Sequence, residues 1–381
     1  MMTVFKIRFI YLFLYMAFAV WRVYYNIFLE QEGFTGTQIG TLNAIMQGSI
    51  FLVVTLWGVY ADHHGIRPTL RIGVLVTAVF IFFLGNVTSF AALLIYIPLL
   101  SFFYHPMGPL TDALAMQYAE TEKKHSYGSF RLWGSLGWAL ASILGGFLFA
   151  KLPLNNIFPL SALLFLFAIP FLTTRKRKRV FKPNFERLHF RELLKNKPLM
   201  WFTALVALYG IICSPVNSFL NLYFSSIDAS NNTIGYAYAI MALSEIPLFI
   251  IGNRLLKKIG LHRLILIGML TMFIRFLLYG SFPTIAVALA TGALQGVSLA
   301  FFLVGAIEYI GKIMPPGKQA TGQSIIWGSY LGIGQTAGNL LIGFLMDKIG
   351  MVSVMQVFIA ASALCLLMAF WFFKIHRHPG G

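Results

Sequence analysis

Long apolar runs alternate with short polar segments along the whole sequence, and this alternation constrains the fold more than any other feature. A helix that crosses a membrane needs about 20 mainly apolar residues. Hydrophobic residues make up 58% of the 381-residue chain and charged residues only 11%, whereas a typical soluble domain is about 25% charged. We therefore predict an all-α membrane protein whose twelve transmembrane helices lie near residues 7–28, 38–60, 69–87, 91–117, 128–150, 157–173, 199–224, 233–252, 264–281, 284–310, 321–345 and 352–373.

Lysine and arginine are distributed unevenly over the segments between these helices. If the N-terminus is cytoplasmic, 25 of the 29 basic residues lie on the inner side, and only Lys151 and Lys348 lie in outer loops. Cytoplasmic loops of membrane proteins carry such an excess, so we predict that both termini are cytoplasmic and that the membrane is a bacterial inner membrane. The net charge of +17 then reflects this topology and contact with lipid, and we expect no nucleic-acid partner.

A repeated motif divides the chain into two halves. Gly128–Ser135 and Gly322–Ser329 share the pattern G-x-x-x-x-W-G-S at an offset of 194 residues, and both copies begin on the predicted cytoplasmic side. A parallel repeat of six helices about an axis along the membrane normal is the architecture of major facilitator transporters. We predict six-helix bundles at 1–173 and 199–381, joined by a basic cytoplasmic linker at 174–198 that faces anionic lipid.

Five charged side chains that lie within the predicted helices or at their inner ends are not explained by loop orientation, namely Arg22, Asp112, Arg131, Glu245 and Arg275. A charge at the centre of a bilayer costs about 2.5–3.5 kcal/mol or more, so each should face an opposite charge or a water-filled cavity. None of the five has a charged counterpart at the repeat offset, which favours a role in function over a role in folding. Structural ion pairs are the alternative, and Arg22 and Arg275 could instead extend toward the outer interface.

Trp138 follows Arg131 by seven residues, which places both side chains on the same face of a helix. An aromatic ring beside a guanidinium suits a cyclic solute or a carboxylate. The alternative is that Trp138 packs against other helices or against lipid, and the sequence favours neither interpretation.

The segment from Gly58 to Arg67 closes the second predicted helix on the cytoplasmic side. Asp62 can cap a neighbouring helix end, and Gly65 permits a tight turn. We expect Gly58, Asp62, Gly65 and Arg67 to form a conformational latch, with a plain solvated loop as the alternative.

The segment Tyr127–Leu140, with the sequence YGSFRLWGSLGWAL, resembles the fifth helix of the lactose permease-like proton symporters of the major facilitator superfamily. The segment Glu245–Pro247 makes the phenylpropionate permease-like branch the most similar one. The resemblance implies that Asp112, Arg131 and Trp138 bind the solute.

The same resemblance implies that Glu245 and Arg275 take part in solute binding and proton coupling. The tenth helix of those relatives carries a histidine and, three residues later, a proton-binding glutamate, whereas these positions are Gln295 and Ser298 here. Neither of these side chains titrates near neutral pH, so a coupled proton would have to bind Glu245 or Asp112. Gln295 is retained as a candidate solute-binding residue.

The sequence also indicates which classes of function to exclude. It contains neither a phosphate-binding Walker motif nor a G-x-S-x-G nucleophile motif, so we expect neither ATP-driven transport nor an enzyme. Cys213 and Cys365 lie in apolar runs, so we expect no disulfide, metal site or cofactor.

We therefore predict a monomeric secondary active transporter that moves a small organic solute by alternating access, with protons as the coupling ion. The solute could be an organic anion, because Arg22 leaves one positive charge over, or a sugar or nucleoside. Export of amphipathic compounds is the alternative, and a non-transporting membrane sensor or enzyme is a remote one.

Overall fold

The computed structural model describes residues 4–121, 127–172, 196–314 and 319–375, and the predicted linker at 174–198 lies almost wholly outside them. Two short 3-10 turns, at Leu154–Asn156 and Ile169–Phe171, and one π-helical segment, at Gly328–Gln335, accompany the α-helices. In chain order the helices are α1 (Val4–Arg22), α2 (Tyr25–Gln31), α3 (Gly36–Gly48), α4 (Ile50–His64), α5 (Ile66–Leu84), α6 (Phe90–Tyr104), α7 (Met107–Thr121), α8 (Tyr127–Phe149), α9 (Ile157–Ala168), α10 (Lys197–Ser218), α11 (Leu220–Ser226), α12 (Asn231–Ile259), α13 (Leu261–Ser281), α14 (Ile285–Gly292), α15 (Gln295–Ile313), α16 (Gln319–Trp327), α17 (Thr336–Ile349) and α18 (Met351–Ile375).

The apolar runs fold as helices of membrane-spanning length, as the sequence predicts. Within the described residues, ten helical segments are long and apolar enough to cross a membrane. The two other predicted spans, 233–252 and 321–345, coincide with α12 and with the continuous run from α16 through the π segment to α17. A multi-pass helical membrane protein is therefore confirmed.

Several predicted spans consist of two helices in series rather than one. α6 ends at Tyr104 and α7 begins at Met107, with Pro106 between them. Proline has no backbone N–H to donate and its ring crowds the preceding turn, so a helix breaks there. The break starts a new helix, α7, and Asp112 lies in the second turn of this helix.

The first of two compact units contains the described residues of Met1–Phe34, Ser49–Asn184 and Ala229–Leu243. Helix α1 packs closely on α8 and α9 in this unit. A Cβ atom added to Gly137 of α8 would lie 2.5 Å from the Leu12 carbonyl oxygen, and the Ser161 hydroxyl of α9 donates to the Ala17 carbonyl at 2.8 Å. Small side chains thus let α8 approach the backbone of α1.

The second compact unit contains the described residues of Thr35–Gly48, Phe185–Asp228 and Ser244–Gly381. Helix α3 lies in this unit, and it packs on α17 through glycines. A Cβ atom added to Gly40 would lie 2.5 Å from the Asn339 carbonyl oxygen, and one added to Gly36 would lie 2.7 Å from the Gly343 carbonyl oxygen. The predicted division at 174–198 stays a prediction, because each unit also takes a short segment from the other side of that division.

Candidate functional site

Asp112 of α7 is held by a tyrosine hydroxyl. The Tyr11 hydroxyl of α1 donates to Asp112 Oδ1 at 2.6 Å, and the Tyr127 hydroxyl at the start of α8 lies close enough to interact electrostatically with this carboxylate. Tyr11 is fully buried, whereas Asp112 is half-buried. The carboxylate is therefore fixed in position while part of it can still reach other groups.

Arg131 of α8 lies beside Asp112 but is oriented by a third tyrosine. Its guanidinium carbon lies 4.6 Å from the centre of the Tyr15 ring, and the Asp112 carboxylate acts on it electrostatically. A Cβ atom added to Gly134 would lie 2.9 Å from Arg131 Nη1 and 3.1 Å from the Tyr15 ring. Gly134, one of the glycines of the repeated motif, therefore provides the room that this stacked pair requires.

Three tyrosines of this first cluster, Tyr11, Tyr15 and Tyr127, were not identified from the sequence. Tyr11 and Tyr15 are four residues apart on α1 and so lie on one face of it. That spacing is a signal, but tyrosine is common in this chain, with 16 copies, and the spacing alone does not show that the face meets Asp112.

Trp138 and Arg22 lie in other surroundings within the same unit. Trp138 packs against Ala239 and Ala242 of α12, which favours the packing interpretation. The Arg22 guanidinium lies 5.5 Å from the Trp21 ring at the far end of α1, about 16 Å along the helix from Tyr11 at 1.5 Å per residue. Their roles in solute binding stay predictions.

A second cluster surrounds Arg275 of α13, which is fully buried. Arg275 Nη1 donates to Gln295 Oε1 and to the Ser298 hydroxyl at 3.1 Å. Gln295 Nε2 in turn donates to Glu245 Oε1 at 3.4 Å. Gln295 therefore bridges the buried cation and the carboxylate, because its amide carries both an acceptor and a donor.

Two backbone contacts place α12 beside α15 and so position this bridge. The Gly296 N–H donates to the Ser244 hydroxyl at 3.1 Å, and an added Cβ at Gly296 would fall on the Ser244 backbone. Glu245, the next residue on α12, is half-buried. Gln295 and Ser298, the positions that lack a titratable side chain, are thus the ones that bind Arg275.

The predicted latch residues lie at the end of α4 and the start of α5. Gly58 and Asp62 line a cavity of about 180 Å³ that also touches Pro106 and Leu110. Gly65 connects the two helices with φ of 92°, a backbone conformation that glycine adopts at no steric cost. Arg67, in the first turn of α5, is half-buried, and the latch itself stays a prediction.

An acidic side chain at the opposite, predicted outer end of the helices was not identified from the sequence. Asp347 of α17 accepts hydrogen bonds from the Gly36 N–H at 2.6 Å, the Thr37 N–H at 2.8 Å and the Thr37 hydroxyl at 2.5 Å. It therefore caps the N-terminus of α3, where free N–H groups and the helix dipole favour a negative charge. This contact reinforces the glycine packing between α3 and α17.

Comparison with known proteins identifies the family whose sequences this chain matches. The sequence model of the MFS_1-like family, a branch of the major facilitator superfamily, matches residues 4–360. The maltose permease of Geobacillus stearothermophilus is 27% identical over 342 residues, covering 89% of this chain and 86% of that protein. A putative nucleoside transporter of Escherichia coli, YegT, is 27% identical over 375 residues, covering 91% and 85%.

The solved structures show the same fold. A crystal structure of the nucleoside transporter NupG superposes with a TM-score of 0.84 at 18% identity and covers 98% of this chain and 99% of that one. The predicted major facilitator fold is therefore confirmed.

Proposed function

The chain belongs to the MFS_1-like family of the major facilitator superfamily, and we propose that it takes up a neutral, hydroxyl-rich solute, a sugar or a nucleoside, together with protons. Family membership makes it a secondary transporter of a small solute rather than an enzyme. The proposal adds the class of solute, the coupling ion and the direction. Uptake would proceed by alternating access across the bacterial cytoplasmic membrane, with both termini inside.

The observation that carries the proposal is the balance of charge in each polar cluster. Asp112 accompanies Arg131, and Glu245 accompanies Arg275 through the Gln295 bridge. A carboxylate accepts from a hydroxyl and a guanidinium donates to one, so each cluster offers both partners that a solute hydroxyl needs. A cluster without net charge gives an anion no electrostatic advantage.

An organic anion is less well supported, since that expectation depended on Arg22 as a spare cation. Arg22 stacks on Trp21 and acts electrostatically on the hydroxyls of Tyr25 and Tyr104. This arrangement gives Arg22 a set of aromatic neighbours of its own. The names of the two 27% identical relatives, a maltose permease and a putative nucleoside transporter, also favour a neutral solute.

Glu245 is the carboxylate that we assign to proton coupling. It is half-buried and is linked to a fully buried guanidinium through one neutral side chain, Gln295. Protonation of Glu245 would remove the negative partner of that cation, so the free energy of the cluster depends on the proton. Asp112 is the second candidate, and its hydrogen bond from Tyr11 beside Arg131 makes it the better solute ligand.

A binding screen tests the class of solute. The melting temperature of the purified full-length protein is measured with maltose, sucrose, uridine, adenosine and 3-phenylpropionate, because a bound ligand stabilises the folded state. At least one neutral solute should raise it, and Arg131→Ala should abolish the increase. Lys151→Ala, which removes an exposed cation in a loop, is the matched control and should behave as wild type. Stabilisation by 3-phenylpropionate alone would contradict a neutral solute.

A further inference from the structure

Two amide side chains of the second unit are buried without hydrogen-bond partners. Gln335, the last residue of the π segment, and Asn339 of α17 are both fully buried. Among the residues that the structure describes, neither the nitrogen nor the oxygen of either amide has a partner. Buried polar groups are nearly always paired, and leaving them unpaired is costly, so these four atoms indicate a partner that is not part of the helix packing.

The two amides are neighbours, because residues four apart lie on the same face of a helix. They lie where the π segment Gly328–Gln335 passes into α17, and π-helical segments are frequent at functional sites. The Tyr330 hydroxyl accepts from Asn217 Nδ2 at 3.1 Å. It lies close enough to Gln335 to interact with it electrostatically, but the two side chains do not meet in hydrogen-bond geometry.

Helix α3 covers Asn339. On α17, Thr336 and Asp347 both contact α3. Asn339 follows Thr336 by three residues, so it lies on the same side of the helix. The contact is close, since a Cβ atom added to Gly40 would lie 2.5 Å from the Asn339 carbonyl oxygen. Asn43, three residues beyond Gly40 and also buried, lies on the same face of α3. Separation of α3 from α17 would therefore expose a layer rich in amides.

The opposite side of α17 packs on α10. An added Cβ at Gly334 or Gly338 would collide with α10, at Gly210 and Ser214 respectively. The contact of α17 with α3 also uses glycines, but it ends at the exposed Asp347 cap, whose hydrogen bonds water can replace. We therefore take α3 as the neighbour that separates from α17, with the contact between Thr336 and Ala44 breaking at the same time.

We propose that Gln335 and Asn339 bind hydroxyl or carbonyl groups of the transported solute when α3 separates from α17. Each amide presents one acceptor oxygen and two N–H donors without net charge, which matches adjacent hydroxyls of a sugar or the amide edge of a nucleobase. The proposal rests on the neutral solute of the proposed function. It adds a binding site that carries no titratable group and is closed in the present conformation.

The test replaces each amide by an apolar side chain of similar size, Asn339→Leu and Gln335→Leu, in the full-length protein. Thr336→Val is the matched control, because it removes a hydroxyl from the α3 face of the same helix. The dissociation constants of maltose, sucrose, uridine and adenosine are measured by calorimetry, and the melting temperature of each apo variant is recorded. We expect the affinity of the solute that binds wild type to fall about tenfold or more in both amide variants, as for lost hydrogen bonds in a site built for them.

The melting temperatures distinguish lost binding from lost folding. Apolar replacement of an unpartnered buried amide should keep or raise the melting temperature of the apo protein, and the control should bind as wild type does. Unchanged affinity in both amide variants would overturn the proposal and leave water as the only partner of these amides. If 3-phenylpropionate proves to be the ligand, the proposed function fails, whereas the amide site is still judged by whether the two variants weaken that ligand. Binding of no solute by wild type would overturn both.

Discussion

Removal of the Asp347 carboxylate should loosen the contact between α3 and α17. Three hydrogen bonds, from the Gly36 N–H, the Thr37 N–H and the Thr37 hydroxyl, end on this side chain. Loss of such a cap costs about 0.5–2 kcal/mol. Because Asp347 is exposed, water replaces part of the lost interaction, and we take about 1 kcal/mol for Asp347→Ala. That change shifts the equilibrium toward the separated helices about fivefold.

The rate at which a buried thiol becomes accessible measures this shift. Ala44 of α3 is 3% exposed and its carbonyl faces Thr336 of α17, so a cysteine introduced there reacts with a maleimide only when the helices separate. Both native cysteines, Cys213 and Cys365, are 1% exposed and should react slowly in every variant. We expect Asp347→Ala to speed labelling of the Ala44→Cys protein about fivefold.

The matched control for this prediction is Thr37→Val, which removes only the hydroxyl bond and leaves the N–H groups of Gly36 and Thr37 bound to the carboxylate. It should speed labelling less than Asp347→Ala does. Equal labelling rates in all three proteins would refute the role of Asp347 as a cap on α3. A faster rate at a cysteine placed far from this contact would instead indicate general unfolding.

Three further substitutions test the two polar clusters. Tyr11→Phe removes the 2.6 Å hydrogen bond to Asp112 at a cost of about 1–3 kcal/mol, so solute affinity measured by calorimetry should fall, and an unchanged affinity would remove Asp112 from the binding site. Gln295→Leu leaves the fully buried Arg275 without its amide partner, so the free energy of unfolding should fall by about 1–3 kcal/mol. A variant that is as stable as wild type in denaturant titrations would contradict the bridge. Gly134→Val inserts methyl groups into the space occupied by the stacked Arg131 guanidinium and Tyr15 ring. Solute binding should be lost while the circular dichroism spectrum keeps its helical signal. Full binding would show that this stacking is dispensable.

The helices and their repeat could be predicted from the sequence because both depend on local patterns. Apolar runs of spanning length have one stable form in lipid, the helix, which satisfies every backbone hydrogen bond internally. The break between α6 and α7 was not identified in advance, although Pro106 marks it. Charged residues within apolar runs likewise identified Asp112, Arg131, Glu245 and Arg275, since burying a charge in a membrane is rarely accidental.

The partners of those charges could not be predicted, because they come from distant parts of the chain. Asp112 meets Tyr11 across a separation of 101 residues, and Arg275 meets Gln295 across 20. Asp347 caps α3 across 311 residues, and nothing in its own surroundings distinguishes it from any acid at a helix end. Only the packing of α3 on α17, through glycines that offer no chemical signal, brings that carboxylate to its donors.

The neutral partners also change the interpretation of the buried charges. Direct pairing of Asp112 with Arg131 and of Glu245 with Arg275 is the simplest expectation for charges in a membrane. In the structure, tyrosines hold the first pair and Gln295 links the second. Side chains held in this way can exchange a partner for a solute hydroxyl without leaving a bare buried charge.

Uptake driven by a pH gradient tests the central claim most directly. Purified protein in liposomes, with an acidic exterior and a neutral interior, should accumulate the neutral solute that binds it above its external concentration, and a protonophore should abolish the accumulation. Glu245→Gln should still exchange labelled for unlabelled solute but should lose accumulation, because the assigned proton site is gone. Uphill accumulation that persists in Glu245→Gln, or that ignores the pH gradient in wild type, would contradict proton-coupled uptake through Glu245.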